Sequence, residues 1–394
     1  MPKVSVIIPS YNRAGMLPRT VHSVLDQTFP DLECIVVDDG SSDGTRQVIA
    51  SISDPRLRYI WQENQERSAA RNTGIAASQG EYLTFLDSDD RLLPGALALL
   101  APTLEAQPGA GMVSTGWQDM NEGGEIMAEH SPWDPTRPPS LQDWLFGNLT
   151  RLGACLVRRE WILRVGGFDL NAVPVEDTHL WVKLAAAGCP VQWVKGLAVQ
   201  RLRHAQSTVA SAGRMRAGHL GLVEHLFADR AITERLGLSR ASVLGRVYIG
   251  TACAYLAAGN IAASQEDFRL AFRSDPSLLI EGQERVLSLI VGQGRISEPT
   301  HAWEFVARVF GNLPVEASPL LGLRRKALGQ AYLAEVFQAH RRDDLARARW
   351  ALLRGLRYDP TWLKNKGVVS IGLQSLLGGN FTQALRRKIK PRSS

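Results

Sequence analysis

The sequence predicts an α/β domain with a mainly parallel sheet over residues 1–210, followed by an all-α domain over residues 211–394. Three observations predict it. Strand-like and helix-like patterns alternate as far as about residue 105, which implies parallel strands with helices on both faces. Polar residues recur where the apolar runs end: Tyr11 and Asn12, Asp38 and Asp39, Asp87 to Asp90. From about residue 211 almost every segment has helical spacing, and one frame of apolar and small residues occurs twice.

Taken in order, "VSVIIPS" is a buried strand, and "AGMLPRTVHSVLDQ" places Met16, Leu17, Val21, Val24 and Leu25 near helical spacing. "LECIVVDD" is a second strand. "GSSDGT" then offers a Ser or Asp to cap a helix through Val48 and Ile49. "RLRYIWQ" is a third strand, "SAARNTGIAAS" a helix and "EYLTFLD" a fourth strand. Beyond 106 the pattern loosens: "GAGMVSTGWQ" resembles a fifth strand, and 119–140 reads as a polar, Pro-rich loop. "GACLVRREWILRVGGFD" reads as strand, short helix and glycine turn. "VEDTHLWVKLAAAG" is a helix with acids in its first turn and a stop at Gly188. "VQWVKGLAVQRLRH" adds one or two strands.

In the helical half, Tyr248, Tyr255, Gly259, Phe268, Ala271 and Pro276 follow tetratricopeptide spacing. The frame returns 84 residues later with Tyr332, Ala348, Leu352 and Pro360, in a degenerate copy where Ala339 and Gly355 replace Tyr255 and Ala271. Both copies end in Asp-Pro, which favours helix–turn–helix pairs, with a generic helical bundle as the alternative.

With 45% apolar and 21% charged residues the chain reads as an ordinary globular protein. Its net charge of +6 suits anionic ligands, but no aromatic-interleaved basic stripe points to nucleic acid. Cys34, Cys155, Cys189 and Cys253 lack metal-ligand or disulfide-like spacing, which fits a reducing cytoplasm. The apolar run near the N-terminus is too short for a signal peptide, and no stretch has the length of a membrane span. "LRRKIKPR" at 385–392 follows an apolar, glycine-containing stretch. It is either a solvated tail after a packing helix or a contact with an anionic membrane face.

The segment "EYLTFLDSDDR" runs an apolar strand into Asp87, Asp89 and Asp90. Carboxylates crowded at a strand end repel one another unless a helix end, water or a cation relieves them. One reading has Ser88, Asp89 or Asp90 cap a helix starting near Pro94, with Asp90 the best fit. The other has Asp87 and Asp89 hold a hard divalent cation through oxygen.

The segment from "VSVIIPSYNRAG" to "IVVDDGSSDGT" resembles the opening of the family 2 glycosyltransferases, enzymes of the GT-A fold. "ENQERSAARNTGIAASQGEYLTFLDSDD" matches a second block of that family, and "RREWILRVGGFD" with "VEDTHLWVKLAAAG" a third, so the resemblance spans roughly residues 3–210. It implies transfer of a sugar from a nucleotide-sugar donor, with UDP the expected nucleotide, to a glycan, lipid-linked or protein acceptor, with inversion and with Mn²⁺ or Mg²⁺. Pro9, Tyr11, Arg13, Asp39, Arg71, Asp87 and Ser88 then fall at the donor, Asp89 and His204 at the metal, and Asp177 at the catalytic base. Glu176 and Trp181 fall on the acceptor side, though acids there also suit a helix N-terminus and Trp181 also suits a core position. Glu66 departs from the pattern, standing where the family often has Gly. The "QxxRW" signature of processive relatives is missing, which favours single-sugar transfer.

Two other classes remain. A sugar nucleotidyltransferase needs a glycine-rich phosphate loop after the first strand, and "PSYNRAG" is not one. A non-catalytic adaptor with a decayed sheet domain has no evident reason to keep Asp39, Asp89 and Asp177.

Overall fold

A computed structural model of the chain describes residues 1–131, 138–147, 149–203, 211–297, 301–341 and 343–377. The chain divides into two compact units, Met1–Gly237 and Leu238–Ser394.

The first unit begins with β1 (Val4–Ser10), α1 (Leu17–Leu25), β2 (Leu32–Asp39), α2 (Thr45–Ala50), β3 (Leu57–Gln62), α3 (Glu66–Ala77) and β4 (Tyr82–Phe85). It continues through β5 (Arg91–Leu92), α4 (Ala96–Glu105), β6 (Met112–Asn121), β7 (Ile126–His130), α5 (Leu141–Phe146), β8 (Cys155–Arg158) and α6 (Arg159–Arg164). α7 (Glu176–Ala186), β9 (Val191–Arg203), α8 (Ala212–Ala228) and α9 (Arg230–Leu236) complete it.

The strands form one nine-stranded sheet in the order β3-β2-β1-β4-β8-β6-β9-β5, with β7 paired to β6. β3, β2, β1 and β4 are parallel. β8 runs antiparallel to β4 and β6, so the sheet is mixed past its first four strands. Every residue of β1 and β2 is buried, as expected of strands covered on both faces. One face packs Val4, Val6 and Ile8 against Leu17, Val21 and Val24 of α1 and Leu97 and Leu100 of α4. On the other, Ile35 and Val37 meet Ala70 of α3. The register pairs Val4 with both Leu32 and Tyr82, which brings the carboxyl ends of β1, β2 and β4 to one edge.

Three sequence expectations are corrected. The 119–140 stretch is not all loop: β6 runs to Asn121 and β7 pairs back on it through Trp117–His130 and Asp119–Ala128. The helix after the aspartates is not capped by Ser88, Asp89 or Asp90. β5 intervenes, and the N-cap of α4 is Gly95 at φ 77° with no side-chain cap. The first unit also extends past residue 210 to include α8 and α9. α9 docks on its own unit, where Gln142 of α5 donates to the Leu236 carbonyl and Arg235 to that of Ala186.

The second unit holds α10 (Arg240–Ala257), α11 (Ile261–Ser274), α12 (Gln283–Ser297), α13 (Ala302–Gly311), α14 (Arg324–Arg341), α15 (Leu345–Tyr358) and α16 (Lys366–Leu377). The repeated frame is visible as two helix pairs. Gly259 and Asp343 both adopt positive φ, 78° and 59°, between the helices of their pairs. Asn260 and Asp344 then cap α11 and α15 by accepting from Ala263 N and Arg347 N. Asp275-Pro276 and Asp359-Pro360 each close on a 3₁₀ turn. A Cβ on Gly245 or Gly329 would come 3.0 Å from the Cβ of Asp275 or Asp359, so each pair uses a glycine where its turn crosses the first helix. Among the described residues, no helix is long and apolar enough to cross a membrane. The basic segment 385–392 lies outside the described residues.

Candidate active site

The loops after β1 and β2 are stitched together. Asn12, in the left-handed region at φ 52°, donates its amide to Ser41 Oγ and accepts from Ser42 N, both at 2.9 Å. Asp43 accepts the Ala14 amide at 3.0 Å and the Thr45 amide at the start of α2. Tyr11 is left 50% exposed beside this bridge, a ring face open to a planar ligand. Arg13 is half-buried, and its carbonyl starts α1 by accepting from Leu17 N. Pro9 is buried within β1 opposite Val37, so it shapes the strand end rather than reaching outward.

Asp38 and Asp39 have different tasks. Asp38 is held by Tyr59 Oη at 2.6 Å and the Ser41 amide at 2.9 Å, a buried brace for the loop. Asp39 Oδ1 accepts from Gln62 Nε2 at 2.7 Å and the Gln65 amide at 3.0 Å. Gly40 sits at φ 81°, and a Cβ there would meet Asn64 N at 2.8 Å.

At the end of β4, Thr20 of α1 donates to the Ser88 and Asp90 carbonyls at 3.0 and 2.8 Å, pinning the Asp87–Asp90 turn. Asp87 and Asp89 are half-buried, whereas Ser88 and Asp90 are buried. Asp90 Oδ1 accepts the Leu202 amide of β9 at 3.0 Å. Burial, then the charges of Asp87 and Asp89, push the Asp90 carboxyl well above the usual range. Asp89 faces a small crevice with Arg19, Arg91, Met120 and Gln200. This crowded oxygen set fits a hard divalent cation, whose charge relieves the repulsion. Asp89 and Asp87 would hold it.

Arg71 joins this edge to α7. Its side chain is 1% exposed, and it donates from Nη2 to Asp87 Oδ1 at 2.6 Å and from Nη1 to Glu176 Oε1 at 2.7 Å. Its guanidinium lies 5.1 Å from the Phe168 ring centroid. Burial opposes ionisation of Asp87, but Arg71, with Arg67 and Arg151, holds its carboxyl below the ordinary range. Asp177, the next residue after Glu176, is a quarter exposed. Its Oδ1 accepts the Thr178 amide at 2.7 Å, and its Oδ2 lies 4.0 Å from Arg151 Nη1. Burial and the nearby Arg201 pull the Arg151 guanidinium down to about 10.

Arg71 therefore brings the strand-end Asp87 and the N-terminus of the helix bearing Asp177 together. Glu176 is not open to an acceptor: it is 3% exposed and bound to Arg71. Trp181 is 5% exposed and packs on Trp144, their ring centroids 6.5 Å apart, so it is core. His204 lies outside the described residues. Sequence reading missed Gln62, Arg67 and Arg151. Arg67 stands inside the "ENQERSAARN" block and could have been noticed there, whereas Gln62 and Arg151 sit in no motif and reach the site only through the pairing of β3 with β2 and the approach of the 149–154 segment to α7.

Glu66 opens α3 at φ 69°, a left-handed conformation that costs a non-glycine residue about 1–2 kcal/mol. This is a physical reason for glycine at that position. Glu66→Gly is expected to hold or raise the urea midpoint, because strain relief offsets the added chain entropy. Glu66→Val should lower stability by about 1–2 kcal/mol. Equal midpoints for all three proteins would refute strain at this residue.

The description "Glycosyl transferase family 2" matches residues 5–163. A protein of Bacillus subtilis named as a teichuronic acid biosynthesis glycosyltransferase, TuaG, is 36% identical over 193 residues, 48% of this chain and 73% of its own length. The chain belongs to glycosyl transferase family 2. A Campylobacter jejuni GalNAc(5)-diNAcBac-PP-undecaprenol beta-1,3-glucosyltransferase is 43% identical over 104 residues, 25% of this chain and 34% of that protein. An Escherichia coli chondroitin synthase is 29% identical over 210 residues, 53% of this chain and 30% of that protein. The chain thus spans about a third of the length of these last two relatives. A solved mannosyltransferase of Pyrobaculum calidifontis, in complex with GDP-Man and Mn²⁺, is 19% identical, with 82% of this chain and 87% of that one covered and a TM-score of 0.48.

Proposed function

We propose that the first unit transfers one sugar from a UDP-linked donor, with inversion and with Mn²⁺ or Mg²⁺, to an acceptor hydroxyl. The observation that carries this reading is Arg71, one buried cation holding both Asp87 and Glu176. Through it the strand-end aspartates and Asp177 share one framework. In this reading Tyr11 stacks on the nucleobase and Asp39, half satisfied by Gln62 and Gln65, accepts a base N–H. A bound divalent cation supplies neutralisation of the departing diphosphate, held by Asp89 with Asp87. Asp177 accepts the proton of the acceptor hydroxyl as its oxygen bonds to the anomeric carbon and the bond to diphosphate breaks. The PP-undecaprenol glycan in the Campylobacter relative's name favours a lipid-linked acceptor. The basic segment 385–392 is then suited to an anionic membrane face.

The test is donor hydrolysis and transfer over UDP-, GDP- and dTDP-sugars with Mn²⁺ or Mg²⁺, where turnover of no donor would overturn the reading. Asp89→Ala should remove metal-dependent UDP binding in calorimetry while the fold survives, since losing one crowded carboxylate relieves repulsion in the apo protein. Unchanged UDP affinity with Mn²⁺ in that variant would sink the metal assignment.

A further inference from the structure

A second cluster of metal-ligating side chains lies in the first unit and serves no step above. Asp169 follows the glycine turn after α6, His179 is on α7 and His225 is on α8. His179 Nδ1 stands 3.4 Å and His225 Nδ1 3.6 Å from the same oxygen, Asp169 Oδ2. One ligand atom from each of the three residues lies within 4.8 Å of the other two. Donors of a tetrahedral zinc, bound at about 2.0–2.2 Å, stand about 3.3–3.6 Å apart. The two observed separations are therefore those of tetrahedral edges.

The surroundings also suit a cation. His179 has a side chain only 7% exposed, and its Nδ1, like that of His225, is buried without a hydrogen bond among the described residues. Burying such a nitrogen unsatisfied carries a cost that a metal ligand bond removes. Asp169 Oδ1 accepts the Asn171 amide at 2.8 Å, which orients the carboxylate from behind. The imidazoles stack with their centroids 5.6 Å apart, and His225 and Asp169 are partly exposed, which leaves an entry path.

We propose that Asp169, His179 and His225 form a binding site for a borderline divalent cation of the zinc class. Two imidazoles and one carboxylate leave a fourth position for water. The site joins the glycine turn, α7 and α8, and so clamps the helix that carries Asp177 at its start.

The full chain, stripped with chelator, is titrated with Zn²⁺ by calorimetry and with Co²⁺ by visible absorption, and its thermal midpoint is followed with Zn²⁺. One zinc should bind, the Co²⁺ spectrum should be that of a tetrahedral site, and the midpoint should rise. Asp89→Ala should keep this zinc, which separates the site from the strand-end aspartates. His225→Ala and Asp169→Asn, checked for fold by circular dichroism, should each weaken zinc by more than about 100-fold, beyond the usual effect of an outer partner. Zinc bound equally by these two variants, zinc lost only in Asp89→Ala, or no zinc uptake by the unaltered chain would each overturn the proposal.

Discussion

Asp177→Asn should lower sugar transfer by about 10² to 10⁴ while leaving UDP affinity nearly unchanged, because it removes a proton acceptor and almost no shape. An asparagine Oδ1 can still accept the Thr178 amide that holds Asp177 at 2.7 Å, so the side chain keeps its orientation. What is lost is a carboxylate able to take the hydroxyl proton. Burial of Glu176 and its bond to Arg71 leave it unsuited to act as a substitute. Near-normal transfer by the variant would move the role to another group. The anomeric configuration of the product, read from NMR coupling constants, gives a second check, since retention contradicts direct displacement by the acceptor oxygen.

Arg71→Ala should be the most damaging substitution for stability, by about 3–5 kcal/mol, because it leaves the Glu176 carboxylate buried without its partner. Among the described residues Glu176 Oε2 has no hydrogen bond, and the lost bond at Oε1 has only Arg67 Nε, 3.7 Å away, as a nearby replacement. The double variant Arg71→Met with Glu176→Gln should recover much of the loss, since no isolated charge then remains buried. Urea denaturation of Arg71→Met, Glu176→Gln and the double variant measures this coupling. Additive losses would show that Arg71 acts through packing on Phe168 rather than through charge. The single variant should also lose UDP binding, because Asp87 loses the cation that holds it ionised and in place.

The four parallel strands were legible in the sequence because each is a continuous apolar run stopped by polar turn residues. β1 and β2 coincide with "VSVIIPS" and "LECIVVDD". A buried strand must be apolar on both faces, so its bounds are written locally. β7 was not legible: "IMAEH" is largely exposed and gains its conformation only by pairing with β6. α8 and α9 read correctly as helices, but nothing in their spacing assigned them to the first unit. That depends on the face each meets.

The same division runs through the site. The sequence by itself determined which carboxylates end strands and where the two helix pairs close on Asp-Pro, whereas the left-handed backbone at Glu66 appeared only in the structure. Only the tertiary structure decided the partners. Asp90 binds the Leu202 amide instead of capping a helix, and Trp181 turns into the core. Glu176 serves Arg71, which is 105 residues away in the chain, and two histidines on different helices meet at Asp169. Strand and turn preferences arise from neighbours along the chain. Pairing of buried charges depends on contacts between distant segments, and those exist only after the sheet has set its strand order and register.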